Sequence, residues 1–230
     1  MRVLVACEES QRVCIAFRER GHEAYSCDLL ECSGGHPEWH IQGDCLPLLN
    51  GRCEFKTSDG ESHRVDSRWD MIIAHPPCTF LTNAGACQMF PTAGKIDKVR
   101  FEKALEAKKF FMRFLNADCP KIAIENPIPL SVVDLPPKSQ VIQPYQFGHP
   151  YTKKTYLWLK GLPQLLATEV VEPLGPYVCG NAEIWKKQKA KGKVYGKEKS
   201  AKHRSKTFPG IAAAMADQWG RDPDKEDTSG

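Results

Sequence analysis

The sequence lacks the features that would place a protein across a membrane. No apolar run among its 230 residues is long enough to span a bilayer, and its first residues enter a strand-like segment without a signal-peptide pattern. Its ten cysteines follow no regular spacing, so they do not indicate a disulfide framework. We expect reduced thiols, a cytoplasmic location and no membrane partner. The length fits one α/β domain with a small appendage.

The sequence also lacks a strong overall charge, since its formal net charge at pH 7 is only +4. The charge is unevenly distributed. Residues 183–206 contain ten lysines and arginines against two glutamates, a local net charge of +8. The rest of the chain is therefore net acidic by about 4. A basic segment attached to an acidic body predicts a polyanionic partner.

The central feature of the sequence is a short apolar run that ends in two prolines. Met71–Ala74 (MIIA) is typical of a buried parallel strand, and His75-Pro76-Pro77-Cys78 follows it. Proline lacks an N–H and fixes its own φ, so the strand must end and Cys78 must lie in a stiff loop. In open α/β sheets, ligands bind beyond the carboxyl ends of strands. This position favours a nucleophilic role for Cys78 over that of a buried structural thiol.

A second short apolar run, residues 121–124 (KIAI), ends in Glu125-Asn126-Pro127. Two adjacent parallel strands would bring the thiol of Cys78 and the carboxylate of Glu125 to one crevice. His75 is, by its position in the sequence alone, a candidate for lowering the pKa of the thiol. A histidine beside two prolines is also consistent with a loop-capping role.

The N-terminal region predicts a strand–helix–strand unit. Residues 2–6 and 23–27 have the pattern of strands, and residues 12–20 that of an amphipathic helix. Asp28 follows the second strand. In nucleotide-binding folds, an acidic residue at this position hydrogen-bonds the ribose hydroxyls. Asp44 follows a third short strand at the same sheet edge. Because the first turn lacks the usual glycines, a surface role for Asp28 remains open.

The remaining segments complete the predicted sheet. Residues 51–68 are polar and predict a solvated excursion before the central strand. Residues 96–117 predict a long amphipathic crossover helix, and residues 140–144 and 155–159 the last strands.

A zinc-binding motif is an alternative interpretation of the residues in and between the second and third predicted strands. Thiolates and imidazoles at short spacing are zinc ligands, here Cys27, Cys32, His36 and His40. A strand through residues 39–42 would scatter these ligands, so we expect no metal site.

The order of these segments resembles the DNA cytosine-5 methyltransferases, in particular their short phage- and prophage-type members. The resemblance covers nearly all of the chain. It rests on residues 76–78 (PPC), residues 125–127 (ENP) and residues 147–155 (FGHPYTKKT), which are similar to a later family motif. It implies an α/β fold, a class I S-adenosylmethionine-dependent methyltransferase domain that is Rossmann-like, with a mostly parallel seven-stranded sheet, one reversed strand and a minimal basic recognition insert. The expected setting is a bacterial or phage-infected cytoplasm.

The resemblance implies roles for three residues of the predicted crevice. Cys78 would be the nucleophile that adds to C6 of cytosine, Glu125 would hold the base and protonate N3, and Asn126 would order the loop around that carboxylate. Protonation requires a raised pKa of Glu125, which burial would provide. The implied cofactor is S-adenosylmethionine, and the implied partner is double- or single-stranded DNA, with the base flipped out of any duplex. We expect a monomer.

The implied cofactor contacts lie after the first three strands and in the nucleophile loop: Cys7, Glu8, Ser10, Asp28, Leu29, Asp44 and Pro76. The implied nucleic-acid contacts belong to the later motif and the basic segment: Lys153, Lys154, Thr155, Lys186, Lys187, Lys193 and Arg204. Two family features are replaced in this sequence. The first motif has no glycine, and the two arginines of the later motif appear as Lys153 and Thr155.

The resemblance divides the chain into four parts. These are a catalytic core (1–160), a small lysine-rich insert that would contact DNA (161–206), a C-terminal helix that would pack back on the core (207–220) and a disordered tail (221–230). Lysine contacts with phosphates carry no sequence information, so we expect weak or very short sequence preference.

Three other functions fit parts of the sequence. An amino methyltransferase acting on adenine N6 or cytosine N4 also uses a strand that ends in Pro-Pro, although an aromatic residue normally follows where this chain has Cys78. A methyltransferase that has lost turnover would retain the basic segment as a DNA-binding protein. A third variant would keep the addition chemistry of Cys78 but transfer another one-carbon group or modify a free nucleotide.

Overall fold

The computed structural model of the chain describes residues 1–92, 94–177 and 205–221. Its strands, in chain order, are β1 (Arg2–Ala6), β2 (Glu23–Asp28), β3 (His40–Gln42), β4 (Cys53–Lys56), β5 (Ser62–Val65), β6 (Met71–Ala74), β7 (Lys121–Pro127), β8 (Gln140–Ile142), β9 (Tyr151–Thr152), β10 (Thr155–Lys160) and β11 (Gly175–Pro176). Its helices are α1 (Arg12–Arg18), α2 (Ala86–Met89), α3 (Lys98–Leu115) and α4 (Pro209–Trp219).

Seven of the strands form one mixed sheet in the order β3-β2-β1-β6-β7-β10-β8. The pairs from β3 to β7 are all parallel, and β10 is antiparallel to both of its neighbours. The prediction of an α/β fold with a mostly parallel seven-stranded sheet and one reversed strand is confirmed. Within the described residues, no helix is long and apolar enough to cross a membrane.

The continuous apolar strands are explained by helices on both faces of the sheet. In β1, Leu4 belongs to a core cluster that includes Phe111 of α3, whereas Val5 belongs to a second cluster that includes Phe17 of α1 and Met215 of α4. A strand covered on both faces needs apolar side chains at every position, which is the pattern expected for a parallel sheet.

The predicted crossover helix is confirmed with slightly shorter bounds. Helix α3 begins after Asp97, whose side chain accepts a hydrogen bond from the backbone N–H of Arg100 at 2.7 Å. This N-cap satisfies one of the free amides of the first turn and fixes where the helix begins. The predicted third strand also starts one residue late, at His40, because Pro37–Trp39 forms a 3-10 turn.

The prediction for residues 51–68 was wrong, because this stretch forms a β-hairpin rather than a solvated excursion. Strands β4 and β5 pair antiparallel, and Phe55 and Val65 are buried. The ring of Phe55 lies 5.0 Å from that of Tyr25 on β2. An antiparallel pair buries one face only, so two apolar side chains suffice to attach the hairpin while its other residues stay polar.

The site predicted from the sequence lies at the carboxyl edge of the central strands. Strand β1 is the neighbour of β6, and the chain order runs outward from this pair in opposite directions, to β2 and β3 on one side and to β7 on the other. Such a reversal leaves a crevice at the carboxyl ends of the strands, where ligands bind in open α/β sheets. Residues 222–230 of the predicted tail lie outside the described residues.

Candidate active site

The two predicted catalytic side chains follow neighbouring strands. Ala74 at the end of β6 is in register with Ile124 of parallel strand β7, so His75 and Glu125 continue the two strands side by side. Nδ1 of His75 lies 2.8 Å from Oε2 of Glu125, and the two side chains are only 11% and 10% exposed. The loop that carries Cys78 therefore starts beside the carboxylate of Glu125.

The pKa of Glu125 is lowered, whereas the sequence led us to expect a raised pKa. Burial raises it, but the hydrogen bond and charge of His75, the charge of Lys153 and a hydrogen bond from Thr207 outweigh burial and lower the pKa to about 2. Burial lowers the pKa of His75, but Glu125 and then Glu8 outweigh it and raise that pKa. These shifts in pKa favour a negatively charged Glu125 paired with a positively charged His75.

Burial raises the pKa of the Cys78 thiol, and the charge of Lys153 opposes that rise. His75 points one nitrogen at Glu125 rather than serving as a base for the thiol. The backbone carbonyl of Cys78 accepts hydrogen bonds from the N–H groups of Leu81 and Thr82, which turns the loop tightly after the cysteine. Lys153 is the nearby cation that favours the thiolate.

Two side chains from other elements anchor this loop. Nδ2 of Asn126, which is 1% exposed, donates to the carbonyl of Pro76 at 2.8 Å. Nη2 of Arg100 at the start of α3 donates to the carbonyl of Thr79 at 2.8 Å. The loop is thus held on both sides of Cys78. Sequence reasoning missed Arg100, which reads as one more charge on an amphipathic helix.

The predicted adenosine-binding residues lie at the ends of β2 and β3. Oδ1 of Asp28 accepts from the N–H of Leu30, and Oδ1 of Asp44 accepts from the N–H of Leu46. Leu29 is 74% exposed and Leu30 is 55% exposed, so apolar surface adjoins Asp28 at the end of β2. A carboxylate beside an exposed apolar side chain suits a nucleoside, which has ribose hydroxyls and an apolar base face. These residues fit the adenosine part of S-adenosylmethionine.

The turn after β1 folds without glycine because two other residues adopt left-handed backbone conformations. Cys7 has φ 60° and Gln11 has φ 57°. The buried side chain of Gln11 stabilises this turn, since it donates to the carbonyl of His36 at 2.8 Å and accepts from its N–H at 3.1 Å. Sγ of Cys7 lies 3.9 Å from Sγ of Cys45, and Cys7 is half-buried.

Glu8, an expected cofactor contact, has backbone hydrogen-bond partners in the structure. Its side chain is buried, and its two oxygens accept from the N–H groups of Val13 at 2.8 Å and Cys14 at 3.2 Å. The carboxylate therefore caps α1. Ser10 is also buried, at 7% exposure. Of the first-turn residues, Cys7 remains the more accessible candidate.

The expected nucleic-acid contacts fall into three groups. Thr155 is buried, and its hydroxyl donates to the carbonyl of Lys153. Lys153 faces the Cys78–Glu125 region, and Lys154 is exposed. The other four, Lys186, Lys187, Lys193 and Arg204, lie outside the described residues.

One residue of the site had no sequence signal at all. Oγ1 of Thr207 donates to Oε2 of Glu125 at 3.1 Å, across 82 residues of sequence. It follows the basic segment and resembles any other threonine in the sequence. Within the described part of the chain, no group of three or more His, Cys, Asp or Glu side chains has the arrangement of a metal site.

Among solved structures, 29 chains match this fold. No family model matches the sequence, and no curated protein matches it. The fold is similar to that of an E. coli protein provisionally described as a DNA modification methyltransferase encoded within a prophage, with a TM-score of 0.41 and 12% identity. The match covers 75% of this chain and 52% of that one, so this chain spans about half of that protein's length. A likeness of this degree carries no argument about function, which must rest on the site.

Proposed function

We propose that this protein is a DNA (cytosine-5-)-methyltransferase that uses S-adenosylmethionine and a covalent adduct between Cys78 and C6 of cytosine. The observation that carries the proposal is the contact between His75 and Glu125, which starts the Cys78 loop beside the carboxylate at the carboxyl edge of β6 and β7, with the charge of Lys153 acting on both Cys78 and Glu125. A nucleophile, a carboxylate and a cation at one crevice are the groups that this reaction needs.

Cys78 performs the nucleophilic step. C5 of cytosine becomes nucleophilic only when sulfur has added to C6, and only the thiolate adds efficiently. Lys153 favours that thiolate against the effect of burial. S-adenosylmethionine, when bound, supplies the electrophilic methyl group. Cys78 leaves C6 as a thiolate once the proton on C5 has passed to water or another base.

Glu125 and His75 respond to the negative charge that builds on N3 of cytosine. Addition at C6 sends an electron pair towards N3, which then needs a proton. Glu125 is itself an anion, so His75 Nδ1–H, 2.8 Å from Oε2, is the proton reserve of the pair. As charge builds on N3, the proton of His75 moves to Oε2 of Glu125 and N3 takes up a proton from water in the crevice, and both shifts reverse when Cys78 leaves. His75 thus serves Glu125 rather than the thiol.

The proposed cofactor, S-adenosylmethionine, and the proposed substrate, DNA, are supported by different observations. Asp28, Leu29 and Asp44 fit the adenosine moiety, as their position at the ends of β2 and β3 indicates. The local charge of +8 in residues 183–206 favours DNA over a free nucleotide, since a polyanion gains most from clustered lysines. A monomeric enzyme in the cytoplasm is consistent with the proposed cofactor site and with the basic segment.

The proposal is tested by methyl transfer from labelled S-adenosylmethionine to mixed DNA, followed by nucleoside analysis. Wild type is compared with Cys78→Ala, Glu125→Gln and Cys53→Ala, in which a similarly half-buried cysteine of the hairpin is replaced. We expect 5-methylcytosine from wild type and Cys53→Ala. Cys78→Ala should lose transfer by more than about 10³-fold, because no other step can activate C5.

The other product patterns distinguish the alternatives. N4-methylcytosine or N6-methyladenine would replace the proposal with an amino methyltransferase. DNA binding without transfer by any variant would indicate a protein that has lost turnover. Transfer that survives in Cys78→Ala would exclude the covalent mechanism.

A further inference from the structure

The carboxylate of Glu125 is held by a segment that enters from the far end of the chain. Residues 205–208, here called the strap, lie between the end of the basic segment and α4. Thr207 and Phe208 of the strap are buried, at 4% and 6% exposure. The hydroxyl of Thr207 donates to Oε2 of Glu125 at 3.1 Å, the same oxygen that His75 contacts.

The strap is fixed to the turn after β1 by two of its residues. Nη1 of Arg12 donates to the carbonyl of Thr207 at 2.7 Å. Nζ of Lys206 donates to Oγ of Ser33 at 2.8 Å and lies 3.7 Å from a carboxylate oxygen of Glu9. The first attachment uses the first residue of α1, and the second uses residues of the loops that follow β1 and β2, on the expected cofactor side of the crevice.

The other end of the strap is packed against the later motif. The ring of Phe208 lies 4.7 Å from that of Tyr177 and 5.0 Å from that of His149. The N–H of Gly210 donates to Nε2 of His149 at 2.9 Å. These contacts on both sides hold the backbone of Thr207 in place independently of the hydrogen bond between its hydroxyl and Glu125.

Two donors on one carboxylate oxygen have a geometric consequence. Oε2 of Glu125 receives both His75 and Thr207, and within the described residues Oε1 makes no hydrogen bond. Two contacts fix the plane of the carboxylate, whereas one leaves it free to rotate about its last torsion. Oε1 is then the oxygen presented to a ligand in the crevice.

We propose that Thr207 is a positioning residue of this site: its hydroxyl, held by the strap, orients Glu125 so that Oε1 meets the N3 edge of cytosine. The inference rests on the proposed function for the identity of the base. The pairing of Thr207 with Glu125 can be tested without it.

The test compares Thr207→Val, which keeps the shape but removes the hydroxyl, with Thr207→Ser, which keeps the hydroxyl. The matched control is Thr57→Val in the β4–β5 hairpin. Thr57 is 3% exposed and its hydroxyl also donates to a carboxylate, Oδ1 of Asp59, at 2.6 Å. Each valine variant therefore removes a threonine–carboxylate hydrogen bond, one at the site and one away from it, and Thr57→Val also removes a contact of 3.0 Å with Nε2 of His63.

Rates of cytosine methylation are measured for the four proteins across the pH range. Thr207→Val should lower kcat about tenfold with little change in KM for S-adenosylmethionine, because a hydrogen bond to a charged group is lost at the base-binding carboxylate. Its acid limb should move to higher pH, since the pKa of Glu125 rises without the donor. Thr207→Ser should restore both properties, and Thr57→Val should match wild type in both.

A Thr207→Val variant with the kcat and pH profile of wild type would overturn the inference. So would a Thr207→Ser variant as slow as Thr207→Val. If wild type itself makes no 5-methylcytosine, the proposed function fails, and the pairing is judged by ¹³C NMR titration of the Glu125 carboxyl. A higher pKa in Thr207→Val but not in Thr57→Val supports the positioning contact, and equal pKa values overturn it.

Discussion

At the scale of single residues, the charge of Glu125 depends on a few close neighbours. His75, Thr207 and Lys153 together lower its pKa although the side chain is buried. An isolated buried carboxylate would instead be protonated. The pair therefore stores one proton on His75 and one negative charge on Glu125, and a base that enters the crevice meets an anion.

This pairing predicts a pH dependence of stability. The pKa of Glu125 is about 2 in the folded protein and ordinarily 4.5, so the stabilisation is complete above pH 4.5 and is lost as the pH falls towards 2. The full effect is about 3 kcal/mol, of which about 2 kcal/mol disappears between pH 6 and pH 3. Glu125→Gln has no such titration, so its free energy of unfolding should approach that of wild type in acid.

Urea unfolding followed by tryptophan fluorescence at several pH values measures this difference. The gap between wild type and Glu125→Gln should narrow steadily below pH 4.5. A gap of constant size over the same range would mean that Glu125 is not held as an anion by its neighbours.

At the scale of elements, helix α4 completes the core on one face of the sheet. Its apolar side chains pack with those of α1 and with the inward side chains of β1 and β6. Three of the four alanines of α4, Ala212, Ala214 and Ala216, are buried. Such small side chains let the helix approach its neighbours closely, so the larger Met215 and Trp219 fill the space on either side.

Met215→Ala should therefore lower the free energy of unfolding by about 2–5 kcal/mol, the usual cost of truncating a fully buried methionine. Leu166→Ala is the control, because Leu166 is 70% exposed and its truncation should change stability by less than about 0.5 kcal/mol. Chemical denaturation of the three proteins measures both values. Equal stability of Met215→Ala and wild type would show that α4 adds little to the core.

The elements, and the start of the Cys78 loop beside Glu125, could be predicted because they follow from local pattern. Apolar runs closed by proline specify strands, and parallel neighbours deliver their loops to one edge. The hairpin of residues 51–68 was missed because only one of its faces is buried, which dilutes the apolar pattern. The average hydropathy of such a segment is low, and it therefore predicts a solvent-exposed loop.

The partners of Glu125 could not be predicted, for a different reason. Whether His75 turns towards Cys78 or Glu125 depends on a side-chain torsion, which sequence spacing does not determine. Thr207 meets Glu125 across 82 residues only because the strap folds back over the sheet edge. The low pKa of Glu125 depends on these contacts, so burial alone gave the wrong direction.

At the scale of the whole molecule, charge is divided between an acidic body and a basic segment. Residues 183–206 carry a net charge of +8 in a chain whose total is +4. Lysines that contact phosphate release counterions when DNA binds, and each contact makes binding more sensitive to salt. The salt dependence of DNA binding thus reports how many of these lysines meet the backbone.

Replacing Lys186 and Lys187 together by alanine should weaken DNA binding and reduce the slope of log K against log salt concentration by about 2. The reduction should be the same for unrelated DNA sequences, since phosphate contacts carry no sequence information. Replacing Lys56 and Lys109, which are exposed on the body, should leave the slope unchanged. Fluorescence anisotropy over a range of salt concentrations measures all three proteins. Equal slopes would place the DNA elsewhere on the molecule.

The strap also sets the order in which the protein can become active during its synthesis. Arg12 and Thr207, joined by a hydrogen bond, are 195 residues apart in the chain. At roughly ten residues per second, a ribosome needs about twenty seconds to make the chain between them. Until then, α1 lacks the helix that covers it and Glu125 lacks its second donor. A nascent chain can therefore form much of its sheet while its crevice is still incomplete, and the proposed methyl transfer has to wait for the residues that come after the basic segment.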